Sequence, residues 1–141
     1  MKMENNNALA TVAATAENVG ASFCSITPTG DRKHDAQIFA ALNNPEYRIA
    51  NYINKRIKVV NVLVEIRELM NDESGEIETA PRVVLIDDKG AAYQAVSKGI
   101  FNAVKNAFTV FGNAPWEPAL EIEIKQVAVG NGSMLTFDVV G

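Results

Sequence analysis

The stretch from Arg82 to Val140 constrains the fold most, because its hydrophobic period switches from strand to helix and back. Arg82-Val83-Val84-Leu85-Ile86 is a short apolar run rich in β-branched residues, and Asp87-Asp88-Lys89-Gly90 closes it as a turn. The spacing then predicts an amphipathic helix over roughly Tyr93 to Phe111. Tyr93, Val96, Ile100, Val104, Phe108 and Phe111 recur at intervals of three and four, the period of one helix face. Gly112-Asn113 stops this helix and Pro115 cannot continue it. Leu120 to Lys125 alternates strictly, Gly130-Asn131-Gly132 turns the chain, and Leu135, Phe137 and Val139 alternate to the end. One helix between two antiparallel β segments needs a sheet curled enough for the helix to plug an open end.

Upstream, residues 1–20 are polar and small, which reads as a flexible N-terminal arm: either a disordered tail or a strap for a neighbouring subunit. Residues 21–141 read as one domain. Ala21 to Thr27 is a short strand candidate, and residues 33–43 carry Ile38, Phe39 and Leu42 at helical spacing. Asn44-Pro45-Glu46 has the chemistry of a helix start, with a capping Asn, Pro at the first position and an acid in the first turn. A second helix is expected from there to about Asn54. Ile57 to Met70 is the longest strand candidate, with Val60, Val62, Val64 and Ile66 on one face and Val59, Asn61, Leu63, Glu65 and Arg67 on the other. A run so apolar on both faces suits a strand that bends between two parts of a closed sheet. The order is strand, helical insertion, long strand, strand, helix, strand, strand. The expected class is mainly β with helices (α+β). Five strands with a helix between the third and fourth, and a helical insertion after the first, match an OB-fold, a five-stranded, partly open barrel.

The 141 residues suffice for one buried core, and 48% hydrophobic with 21% charged residues is ordinary for a soluble domain. No apolar run reaches membrane-spanning length, so no membrane partner is expected. The N-terminus lacks the pattern of a secretory signal. Cys24 is the only cysteine, which excludes an internal disulfide and fits a reducing cytoplasm. With one histidine beside it, a His/Cys zinc site is excluded, and no cofactor is expected. No nucleophile is paired with a base in the local sequence and no Gly-rich phosphate loop occurs, so catalysis is not expected. Net charge is −4, but unevenly spread: residues 31–67 carry seven Lys/Arg against four acids, residues 68–88 one against seven. A phosphate backbone responds to the local patch rather than the total.

The passage Val83-Val84-Leu85-Ile86-Asp87-Asp88-Lys89-Gly90-Ala91-Ala92-Tyr93-Gln94-Ala95-Val96-Ser97-Lys98 resembles the strand, turn and small-x-Tyr-x-Ala-hydrophobic-Ser-Lys segment of OB-fold single-stranded-DNA-binding proteins of Gram-positive phages and conjugative plasmids. The resemblance covers mainly residues 80–141. It implies an OB-fold, single-stranded DNA as partner and no catalysis, in the cytoplasm of a bacterial or phage-infected cell. The sequence stops at Phe137-Asp138-Val139-Val140-Gly141, with no acidic tip to recruit repair enzymes, so that recruiting role is not expected.

A non-sequence-specific binder of this kind needs cations along a groove and flat side chains on which bases stack, worth about 1–3 kcal/mol per base. Candidate phosphate contacts are Arg32, Lys33, Arg48, Lys55, Arg56, Lys58, Lys98 and Lys105. Candidate platforms are Tyr47, Tyr52, Phe101 and Trp116. Each has a plainer reading. Trp116, hemmed by Pro115 and Pro118, is either a loop platform or a plug for the barrel end. Phe101 belongs to a wider core face or to an exposed platform, whereas Phe108 and Phe111 read as core. Lys55-Arg56-x-Lys58 is a phosphate grip or a solvated helix end. His34 reads as an exposed loop residue and Cys24 as a small buried one. The expected function is coating and protection of single-stranded DNA during phage or plasmid replication or conjugative transfer, by a homo-oligomer that uses its arm. The alternatives are a protein-interaction or structural adaptor with no nucleic-acid binding, and a small nuclease-like enzyme around Asp87 and Asp88.

Overall fold

The computed structural model describes residues 22–26, 28–70 and 74–141. Among them the alternating segments become seven strands of one sheet: β1 (Ser22–Cys24), β2 (Tyr47–Arg48), β3 (Arg56–Met70), β4 (Ile77–Asp87), β5 (Ala92–Val96), β6 (Leu120–Val129) and β7 (Gly132–Val139). Two α-helices, α1 (Arg32–Asn43) and α2 (Lys98–Phe111), and a 3-10 turn, Ile49–Tyr52, complete the chain path. The strand order is β2-β5-β4-β3-β6-β7, with β1 paired to β3.

β3 curls the sheet. Its first residues, Arg56–Val59, pair with β6, while Val59 and the residues from Asn61 onward pair with β4. The register slips between Val59 and Asn61, so Val60 is the extra residue of a bulge. That single residue inverts the side-chain alternation. Ile57 and Val59 before it, and Val62 and Val64 after it, all reach the main core, whereas Val60 does not. The face assignment expected from a regular strand, with Val59 opposite Val62 and Val64, is therefore corrected. The groups freed by the bulge find other partners: the Trp116 amide donates to Val60 O at 2.8 Å, and the Val62 amide to Ser25 Oγ at 2.9 Å.

The core lies inside the curl. It joins Ile57, Val59, Val62 and Val64 to Val83, Leu85, Ile122 and Ile124, and to Ile100, Phe101, Val104 and Phe108 of α2. Each such side chain contributes about 1.5–3 kcal/mol by leaving water. Ser97 starts α2, its Oγ accepting from the Ile100 amide at 3.1 Å. Gly99 lets the helix touch β7: a Cβ built there would sit 2.0 Å from Leu135 O. A smaller cluster lies on the outer face, where Ala41 of α1 covers Leu63, Val84, Ile86 and Ala92.

The fold is mainly β with two helices and compatible with an OB-like barrel, but its five long strands are not the five expected. The first barrel strand is β3, and β1 is an accessory on its edge. The third is β5, which the spacing assigns to a helix. Tyr93 and Val96 fall in step with Ile100 only by coincidence, and the helix begins at Lys98. The helix expected from Asn44 to Asn54 is also absent. Tyr47 and Arg48 instead pair in parallel with β5, and the 3-10 turn carries the chain across to Ile53, which bridges to Ile124. Phe111, expected in the buried stripe, is half exposed. The arm expected over residues 1–20 lies outside the described residues.

β5 and β7 end the run of five long strands and do not pair with each other. The barrel thus stays open along one seam, and β2 occupies part of it.

Candidate nucleic-acid interface

Three tyrosines meet at this seam. The register sets Tyr47 of β2 beside Tyr93 of β5, with ring centroids 5.1 Å apart and planes inclined by 26°. Tyr52, at the end of the 3-10 turn, stands edge-on to both, at 5.8 and 5.0 Å. Such ring pairs contribute about 0.5–1.5 kcal/mol beyond their area. Tyr93 is buried and Tyr47 is 39% exposed, so the stack has a fixed base and an open top. The Tyr93 hydroxyl donates to Asp87 Oδ2 at 3.0 Å, while Asp87 Oδ1 accepts from the Lys89 and Ala91 amides. Burial, and then the Asp87 hydrogen bond and charge, hold the Tyr93 phenol well above its ordinary range. It stays a neutral donor and keeps its ring in place.

Arg48 lies beside Tyr47 on the same short strand, in register with Gln94. Alternation turns it away from the tyrosines, toward a cleft of about 330 Å³ lined by Arg48, Ala50, Gln94, Ala95, Val96 and Leu135. Lys55 follows in the turn, its amide donating to Tyr52 O at 2.9 Å and its carbonyl accepting from the Ile124 amide of β6 at 3.0 Å. Where β5 ends, Lys98 and Lys105 line a second cleft with Phe101, Asn102 and Thr79–Pro81.

The opposite flank handles its charges differently. β3 and β6 set Arg56 against Glu123 and Lys58 against Glu121 in register. Arg56 Nε lies 3.3 Å from Glu123, and its Nη1 3.9 Å from Glu121. Lys125 also pairs with Glu123. Hydrogen bonds from Lys125 and then Arg56 hold the Glu123 carboxyl below its ordinary range. The basic cluster read from the sequence thus faces acids contributed by a strand more than sixty residues away.

The remaining candidates separate by burial. Trp116 is 6% exposed, packs edge-on to Phe108 at 5.6 Å and donates from Nε1 to Gly112 O at 3.0 Å. It plugs the barrel and offers no face to a base. Phe101 is also buried, with Lys105 Nζ 5.0 Å from its ring centroid. Arg32 and Lys33 are exposed in the first turn of α1, which Asp31 caps. Asp35 ties that turn to Thr29 and Gly30; their amides, with His34, lower its pKa. His34 is a partly buried helix residue rather than an exposed loop residue.

Sequence reasoning passed over Tyr93, Gln94 and Arg82. The helical spacing hides Tyr93 in a core stripe. Arg82 carried a signal of its own, a cation opening an otherwise apolar strand. It is 3% exposed, and its Nε donates to Gln94 Oε1 at 3.2 Å. Its Nη1 is buried without a hydrogen-bond partner, a state costing about 1–3 kcal/mol or more for a charged group.

Among the described residues no His/Cys/Asp/Glu cluster is arranged to hold a metal ion, and no helix is long and apolar enough to cross a membrane. No curated protein and no solved structure matches the chain. A family model described as phage single-stranded DNA-binding protein (φ29 type) matches residues 14–139, nearly the whole length. By that match the chain belongs to the phage single-stranded DNA-binding protein family.

Proposed function

We propose that this protein coats single-stranded DNA without sequence preference, and that the strand lies along the open seam of the barrel. The observation that carries the proposal is the tyrosine stack with an exposed top, beside an Arg48 that no acid pairs with among the described residues. A base added to Tyr47 extends an existing stack, so little side-chain entropy is lost on binding. Tyr52 flanks the same point, and Lys55 follows it in the chain. Arg48, Lys98 and Lys105 continue a cationic path along β5 into α2, and Arg32 and Lys33 reach a strand only where it leaves the seam. Every base has a π-face and every nucleotide a phosphate, so this set of groups suits coverage rather than sequence reading. The role follows: protection of DNA exposed in phage replication, or in plasmid replication or conjugative transfer. Copies associate on the strand, with residues 1–20 as the strap. Deleting those residues and finding unchanged cooperativity removes the strap.

The test is anisotropy of a labelled oligo-dT at low and moderate salt. Saturable binding that weakens as salt rises is expected. No binding at low salt removes the proposal and favours an adaptor that contacts protein instead.

A further inference from the structure

We infer that Arg82 is an internal anion seat that takes a backbone phosphate of the bound strand, reached from the seam cleft past the side chain of Gln94. The inference rests on the reading of the seam as the DNA path and adds to it a residue that exposure alone would pass over.

Arg82 lies on the outer face of β4, in register with Glu65 of β3 and Val96 of β5. Its guanidinium is in place but incompletely bonded. Nε is taken by Gln94, and Nη1 is buried with no partner. Glu65, in register across from Arg82, bonds Arg67 Nε and leaves Arg82 Nη1 without a partner. Burial and the Arg67 charge both work against the charged guanidinium, and Glu65 only partly opposes them. Arg82 and Arg67 have Glu65 between them, so these three groups keep one positive charge in excess, beside a donor that is still free.

Gln94 shows where that anion enters. The same residue that holds Arg82 also lines the seam cleft, with Arg48 and Val96. Its amide is only partly buried and is uncharged, so an anion in the cleft can displace its oxygen from Arg82 at small cost. A guanidinium fork matches a phosphate in geometry as well as charge. With Arg48 at the rim and Arg82 behind Gln94, the cleft offers two cations to one stretch of backbone, while the tyrosines hold the bases beside it.

The test uses the full chain and labelled oligo-dT over a salt series, with melting temperature measured on the same samples. Arg82→Met is expected to bind several-fold more weakly at low salt and to lose about 0.7 from the slope of log K against log salt, the share of one phosphate on a single strand. Gln94→Glu keeps Arg82 and gives it a carboxylate. It is expected to melt higher than wild type and yet lose the same share of the slope. A purely structural arginine predicts a lower melting temperature with the slope intact in Arg82→Met, and that result overturns the seat. If Arg82→Met does not fold, Gln94→Glu decides: a raised melting temperature with an unchanged slope overturns the seat equally. Wild-type protein that fails to bind oligo-dT removes the DNA path and the seat together. Wild-type binding with the slope intact in the variants removes the seat alone.

Discussion

On the β3–β6 flank, Arg56 lies between Glu121 and Glu123, and Lys125 shares Glu123 with it. On the seam flank, Arg48 and Arg82 have no ion-pair partner among the described residues, and three tyrosines stand beside them. Both flanks carry cations on short strand segments. They differ in what the neighbouring strand contributes. β6 offers Glu121 and Glu123 at every second position, whereas β5 offers Tyr93, Gln94 and Val96. Exposed ion pairs stabilise a fold by only about 0–1 kcal/mol each. The main effect of the β3–β6 ladder is therefore to neutralise its flank, whereas the seam keeps uncompensated charge.

The largest expected effect that tests this contrast is loss of the stack. Tyr47→Ala with Tyr52→Ala removes two platforms, together about 2–6 kcal/mol, so oligo-dT affinity should fall by roughly 1.5 to 4 orders of magnitude. Because Tyr93 and its Asp87 hydrogen bond remain, thermal unfolding should stay cooperative. A change under threefold in the anisotropy titration would place the DNA elsewhere and dissolve the distinction between the flanks.

Charge gives the next effect. Arg48→Gln should take about 0.7 from the salt slope, the share of one phosphate contact. On the other flank the clean comparison removes a whole pair, Arg56→Gln with Glu123→Gln, which leaves net charge unchanged. That double variant should keep the wild-type slope. Equal slope losses in both variants would mean that Arg56 exchanges its carboxylates for phosphates, and that the ladder is part of the path.

Trp116 sharpens the comparison from inside the barrel. It is the only tryptophan in the chain and is buried against Phe108, so its emission should barely change when oligo-dT binds, while tyrosine emission is quenched. Strong tryptophan quenching at saturation would show the plug opening to DNA.

These contrasts also mark what was legible in the sequence. The long apolar run ending in Met70, the Gly-Asn-Gly turn and the helix between two β segments follow from local periodicity, and all are present. β5 was hidden because Ala92 to Val96 alternates weakly and its Tyr93 and Val96 fit a helical spacing. The overlooked signal was Ser97, a capping residue that marks the true start of α2. Asn44-Pro45-Glu46 carries a sound helix start, yet hydrogen bonds to β5 outweigh it. Local propensity is worth tenths of a kcal/mol per residue, and a distant strand edge overrides it. The site divided in the same way. Residue type suffices to nominate Tyr47, Arg48 and Tyr52 as candidates, and the fold sets the two tyrosines together. The neutralisation of Arg56, and the choice of plug over platform for Trp116, were not legible, because each depends on a partner strand or helix that only the fold supplies.

The smallest expected effect concerns pH and asks whether the ladder is purely structural. Glu123 has a folded pKa held below the ordinary carboxylate range by Lys125 and Arg56. A depressed acid stabilises the fold above its unfolded pKa of about 4.3, and that contribution fades as pH falls through the folded value. Wild type should therefore melt slightly above Glu123→Gln near neutral pH, and the two curves should converge in acid below about pH 4. Because the group is exposed, the separation should be small and should shrink further in high salt. Oligo-dT affinity at neutral pH should be nearly the same for both, since on the proposed path the strand does not cross this flank and freeing Arg56 adds no contact. A Glu123→Gln protein that instead gains affinity and a steeper salt slope would show that the ladder competes with DNA for Arg56. In that case the two flanks would differ in the strength with which they hold DNA, rather than in whether they touch it.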